Sequence, residues 1–193
     1  MPPVYLPVSS GPLRQGEFIS GLIEPRTRPE GLVSTGPGTN LTTDLKEHPF
    51  AVILTQDCEL EGDHRARNSD PIDEKKLIDV VLLCDVFSIE DVRKIARRIG
   101  FDSKAFKRIQ QNRDERFHYL QAVASNEDAM GNAFGAQGVD FKRVFALTPE
   151  LVYGQIGHNA KRRFKLDSPY LENLIVRFYA YQSRIALPVP HAF

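Results

Sequence analysis

The chain has 193 residues, 41% of them hydrophobic and 26% charged, with a formal net charge of zero and no tryptophan. That length suffices for one domain with a sizeable core. No apolar run approaches the roughly 20 residues that a membrane helix needs, and MPPVYLPVSSGPL lacks the basic start and continuous apolar stretch of a signal peptide. A cytoplasmic location and no membrane partner are therefore expected. The two cysteines, Cys58 and Cys84, are too few for a metal site and are expected as free thiols.

The zero net charge hides an uneven distribution. Residues 41–92 hold thirteen acids against five bases, a net of −8, and residues 93–116 hold nine bases against three acids, a net of +6. A basic face can thus coexist with a neutral total, although surface charges commonly pair with one another or with water.

In chain order, residues 1–13 read as an extended arm rich in proline and serine. Phe18 to Ile23 reads as a first strand closed by Glu24-Pro25. Residues 25–48 carry repeated Pro and Gly turn signals and no helical period, so a long loop is expected. Phe50 to Thr55 is apolar at nearly every position and is expected as a strand buried on both faces. Residues 59–76 are polar and contain Asp70-Pro71, so a second loop is expected, followed by a third strand from Leu77 to Cys84.

Ser88-Ile-Glu-Asp91 fits a helix N-terminal capping box. Val92, Ile95, Ala96 and Ile99 then recur at helical spacing, with Arg93, Lys94, Arg97 and Arg98 on the other side and Gly100 as the stop. Asp102-Ser103 starts a second short helix through about Gln111. Strands are expected over 116–123 and 139–146, separated by a loop from Ser125 to Gly138. Thr148-Pro149 opens a helical turn, Lys161 to Lys165 is a basic cluster, and Ser168-Pro169 starts a last helix over about 169–184. The fold class is therefore mainly β with helical additions (α+β): a small antiparallel barrel spanning 1–193 as one domain, with a helical insertion at 88–114 and a C-terminal helix at 168–186.

The stretch His48-Pro49-Phe-Ala-Val-Ile-Leu-Thr-Gln56-Asp57 resembles the second strand of the MazF/PemK-like toxins. Gln15-Gly16-Glu17-Phe18-Ile19 is similar to that family's first strand, Asp79 to Cys84 to its third, and Phe141-Lys142-Arg143-Val144 through Leu151 to a later basic–apolar segment. The resemblance implies an SH3-like barrel and a toxin-type endoribonuclease that needs no metal or other cofactor. It also implies an antitoxin-like protein partner and a homodimer. His48 stands where the family has its catalytic arginine, and Cys84 where it has a catalytic Thr or Ser. On this reading His48 is the general acid or base, and Arg116 or Arg143 holds the scissile phosphate. A degenerate relative that binds RNA without cutting it is the alternative.

Arg113, Arg116, His118 and Tyr119 mix cations with aromatic rings just after the basic helix pair. Cations neutralise phosphates and aromatic rings stack on unpaired bases, so RNA or single-stranded nucleic acid is the expected partner. Lys161, Arg162, Arg163 and Lys165 could extend that surface.

Gln56, Asp57 and Cys58 end the apolar strand as a candidate ligand contact. Asp57 and Glu59 flank the thiol and disfavour a thiolate unless a histidine lies near, so a packed cysteine, a Cys-dependent hydrolase and a binding role all stay open. The spacing of Asp57, Cys58, Glu59, Asp63 and His64 fits no metal motif. A protein-docking module using the 25–48 and 57–63 loops is the non-enzymatic alternative.

Overall fold

Ala51 to Leu54 leaves no polar side chain for solvent, and the structure buries all four residues. The computed structural model describes residues 3–8, 10–28 and 43–183. The strands are β1 (Tyr5–Pro7), β2 (Glu17–Thr27), β3 (Thr43–Ile53), β4 (Val81–Ser88), β5 (Phe117–Leu120), β6 (Gln137–Leu147) and β7 (Lys161–Leu166). The helices are α1 (Asp57–Arg67), α2 (Ile89–Arg98), α3 (Ser103–Gln110), α4 (Pro149–Gln155) and α5 (Tyr170–Gln182). All seven strands form one antiparallel sheet in the order β1-β7-β2-β3-β4-β6-β5. β1 and β5 are its edges and do not pair with each other, so the sheet is not closed. The fold is α+β.

Alternation along β3 splits the core. Val52 and Leu54 join Phe18, Cys84 and Phe141, with Leu174 and Phe178 of α5 covering that cluster. Ala51 and Ile53 join Leu22, Leu83 and Leu147, with Leu60 of α1 and Val152 of α4 on that side. Each fully buried side chain of this size contributes about 1.5–3 kcal/mol. A third cluster, Val92, Ala96, Phe106, Ile109 and Phe117, fastens α2 and α3 to β5.

The expected extended arm is instead part of the sheet. β1 pairs with β7, and Tyr5 and Leu13 are buried. Tyr5 supplies a ring edge to Phe164 at 5.0 Å and donates its hydroxyl to the Gln121 carbonyl at 2.9 Å. The expected loop over 25–48 is in part a hairpin, since β2 runs on to Thr27 and β3 begins at Thr43. Its part from 29 to 42 lies outside the described residues, as do residues 184–186 of the expected C-terminal helix.

The polar segment 59–76 begins as helix α1 rather than as a loop. Only Leu60, Asp63 and Ala66 of α1 are buried, so the segment lacks the apolar stripe by which a helix is read. Pairs one turn apart stitch it: Arg65 with Glu61 on its outer side and Arg67 with the buried Asp63. The third strand runs over Val81–Ser88 instead of 77–84; Ile78 packs against the core from outside the strand.

The basic segment at 161–165 is a strand, β7, whose cations are largely spoken for. Arg162 clamps the fully buried Glu17 with two contacts, one at 2.8 Å. Burial pushes the Glu17 carboxyl above its ordinary value, although Arg162 opposes the shift. Arg163 makes two 2.9 Å bonds to Asp128, so neither arginine of β7 adds a free charge to a basic surface.

Gly21 sits in β2 at φ +77, and a Cβ there would lie 2.4 Å from the Asn159 carbonyl oxygen. Both the left-handed backbone and the close approach call for glycine. Gly21→Ala is expected to cost at least about 1 kcal/mol, read as a lower urea midpoint with an unchanged m value.

Candidate nucleic-acid interface

The α2–α3 hairpin is built by two caps and one apolar seam. The Ser88 hydroxyl accepts from the Asp91 amide at 3.1 Å, and the Asp102 carboxylate accepts from the Ala105 amide at 2.7 Å. Val92, Ala96, Phe106 and Ile109 turn inward onto Phe117. Helical periodicity then forces Arg93, Arg97, Arg98, Lys104, Lys107 and Arg108 outward, where all six are exposed. Lys94 pairs with Asp91 at 2.8 Å, but none of those six has a carboxylate partner among the described residues. Arg93 lies over the Phe106 ring at 4.5 Å, a contact that fixes the guanidinium without neutralising it. A cleft of about 460 Å³ separates the two helices, with Arg93, Arg97 and Lys107 on its walls. Asp102, which caps α3, is the only acid lining it.

His48 lies elsewhere, fully buried in β3. Its Nδ1 is 2.5 Å from Asp85 Oδ1 and its Nε2 is 3.0 Å from Glu24 Oε2. Its ring stacks on Phe145 with centroids 3.5 Å apart. Burial would raise the Glu24 carboxyl, but bonds from His48 and Arg26 outweigh it and hold the group below its ordinary value. Both ring nitrogens are therefore engaged and no edge of the imidazole meets solvent. Cys84 is also buried, and burial pushes its thiol well above the ordinary range. It donates to the Asp140 carbonyl at 3.2 Å.

Arg116 makes a bidentate pair with the fully buried Asp140, at 2.7 and 2.6 Å, and lies over Phe117 at 4.8 Å. Its charge is already committed. Arg143 is exposed with no ion pair among the described residues. It lines a cleft of about 710 Å³ with Glu47, Asp85 and the stacked pair Phe50 and Phe134.

Gln56, Asp57 and Cys58 form the start of α1. Asp57 accepts the Gln15 amide at 2.8 Å and faces Arg14 at 3.5 Å. Cys58 is exposed, its Sγ 3.7 Å from Gln56 Oε1, which overturns the packed-cysteine alternative. The chain turns into a helix at Asp57, so the thiol is carried off the sheet instead of into the core. Among the described residues no group of three or more His, Cys, Asp or Glu side chains could hold a metal ion.

His118 and Tyr119 line one pocket, while Arg113 lines another. Asn112 ties the turn before β5 to the strand: its side chain donates to the Tyr119 carbonyl at 3.0 Å and accepts the Tyr119 amide at 2.6 Å. Arg113 is exposed and Tyr119 half-buried, but His118 is 4% exposed. Burial, aided by the nearby Arg177 charge, pulls His118 down to about 3, so its ring is neutral at ordinary pH. Its Nδ1 is enclosed without a hydrogen-bond partner. Arg177, which the sequence reading passed over, reaches from α5 to the carbonyls of Asn112, Asp114 and Phe117, the last at 2.8 Å. A lone basic residue among the apolar positions of α5 was its only signal.

No protein-family model, curated protein or solved structure matches this chain.

Asp140→Ala would leave the Arg116 guanidinium, with 17% of its side chain exposed, without its partner. A loss of roughly 3 kcal/mol or more in unfolding free energy is expected by chemical denaturation. The depressed His118 means that the unfolded chain binds a proton at higher pH than the native one does. Stability is therefore expected to fall as pH drops from 6.5 toward about 3, by up to about 1.4 kcal/mol per pH unit. Urea titrations across that range on His118→Phe should show a shallower fall than on the parent.

Proposed function

We propose that the protein binds single-stranded nucleic acid, RNA foremost, through the α2–α3 hairpin. The observation that carries this reading is the set of six exposed cations, Arg93, Arg97, Arg98, Lys104, Lys107 and Arg108, none of them paired with a carboxylate among the described residues. Unpaired cations on a rigid hairpin neutralise phosphates and release counterions at little cost in side-chain pairing. The acids that balance the chain's total charge lie mainly within 41–92. Nucleic acid approaching the hairpin therefore meets local positive charge despite the neutral total.

Kinship with the MazF/PemK-like toxins, an SH3-like barrel behind the open sheet, a cytoplasmic location, an antitoxin-like partner and a homodimer belong to this proposal. Apart from the location, they rest on the motif residues alone. The enclosure of His48 and the commitment of Arg116 to Asp140 favour a relative that binds without cutting. Cleavage is the second reading, and Arg143 is what favours it: an unpaired cation in a cleft shared with Glu47 and Asp85 is placed to hold a phosphate beside carboxylates.

Filter retention of a labelled single-stranded RNA across a salt series tests both. Binding is expected to weaken steeply with salt, and Arg97→Ala with Lys107→Ala to lower the log–log slope by about 1 to 1.5. Salt-independent binding, or a slope unchanged in the double variant, would remove the hairpin from the interface. RNA that shortens without added metal, and does so less with Arg143→Ala, would favour the second reading.

A further inference from the structure

The basic cleft has a neighbour. Gln110, at the C-terminal end of α3, lines it and also lines a second depression on the far side of the helix end. That second pocket has a volume of about 210 Å³ and no charged side chain on its walls. It is bounded by α3, β5 and the first turn of α5. Gln110, Gln111, Gln121 and Asn173 bring four exposed carboxamides to it. None of these side-chain amides has a hydrogen-bond partner among the described residues. Tyr119 and Tyr170 contribute half-buried rings, and the buried His118 contributes a wall that stays neutral because its pKa is held near 3.

We propose that this neutral pocket accepts one unstacked nucleobase of the strand whose phosphates follow the α2–α3 cleft, an inference that rests on the nucleic-acid reading above. A phosphate has no place there, because no cation would offset its desolvation. A nucleobase needs what the pocket has: aromatic faces for its ring and amides that donate and accept along its edge. The volume admits a single heterocycle rather than a whole nucleotide. The shared Gln110 makes the basic and neutral sites neighbours, as one strand with its base turned away from its backbone requires. Sequence preference would then come from the four amides, and affinity from the hairpin.

Free nucleosides test the pocket apart from the phosphates. Uridine, cytidine, adenosine and guanosine, which carry no charge that salt could screen, are titrated at high ionic strength into the isotope-labelled full chain. Amide shifts are expected at Tyr119, Gln121 and Asn173, largest for one base. The surface variant Gln121→Ala/Asn173→Ala should weaken that binding at least about fivefold while leaving the fold and the salt slope of RNA binding unchanged. Silence with all four nucleosides, shifts centred elsewhere, or shifts that persist in the double variant would overturn the pocket. Salt-sensitive RNA binding alongside silent nucleosides would overturn the pocket alone. Nucleoside shifts without salt-sensitive RNA binding would instead overturn the hairpin reading on which the strand's path depends.

Discussion

Between Ala51 and Leu54, β3 has no side chain that can be left to water, and it pairs on both edges, with β2 and β4. A strand of that kind requires cover on both faces of its sheet. α5 supplies it on one face through Leu174 and Phe178, and α1 and α4 on the other through Leu60 and Val152. The chain must therefore bring its last helix back over strands built from its first half. The buried carboxylate–guanidinium pairs follow from the same geometry. Glu17, Asp128 and Asp140 are enclosed by the sheet and its cover, and each is met by an arginine distant in sequence or across the ladder. Such pairs roughly offset their own desolvation, and they fix register more than they add stability.

Two groups of arginines differ in what they face. Arg162 and Arg163 of β7 and Arg116, just before β5, have buried carboxylates as partners. Arg93, Arg97, Arg98 and Arg108 come from the helix hairpin, and carboxylates do not meet them among the described residues. A binding surface needs charge that is not already spent. The helical addition holds six such cations, while on the sheet Arg143 of β6 is exposed without an ion pair among the described residues. His48 belongs with the first group: held between Glu24 and Asp85 and stacked on Phe145, it serves the packing of the β2–β3–β4 region.

The hairpin was the most legible part of the sequence. Ser88 and Asp102 announce the caps, and Val92, Ile95, Ala96 and Ile99 recur at helical spacing opposite Arg93, Arg97 and Arg98, so both helices and the basic outer face of α2 follow from local pattern, although Ile99 stays exposed. The strand at β3 was legible for a similar reason, as an apolar run too short for a helix. α1 was not legible. Its eleven residues bury only three side chains, one of them Asp63, and its helical state depends on contacts with Arg14, Ile78 and Glu150. β1 and β7 were hidden too, because a three-residue edge strand and a run of cations separated by one phenylalanine resemble a tail and a surface patch.

By itself, then, the sequence determined the capped helices α2, α3 and α4, the double-sided burial of β3 and the outward charge of the hairpin. Each of these is written in neighbouring residues and needs only local geometry. Tertiary structure decided which cations remain free, that Cys58 is exposed while Cys84 is enclosed, and that His48 faces two carboxylates rather than solvent. It also placed Gln110, Gln121 and Asn173 around one pocket. These depend on partners tens of residues apart, and a side chain's charge or nucleophilicity is available only after the fold has settled what lies beside it.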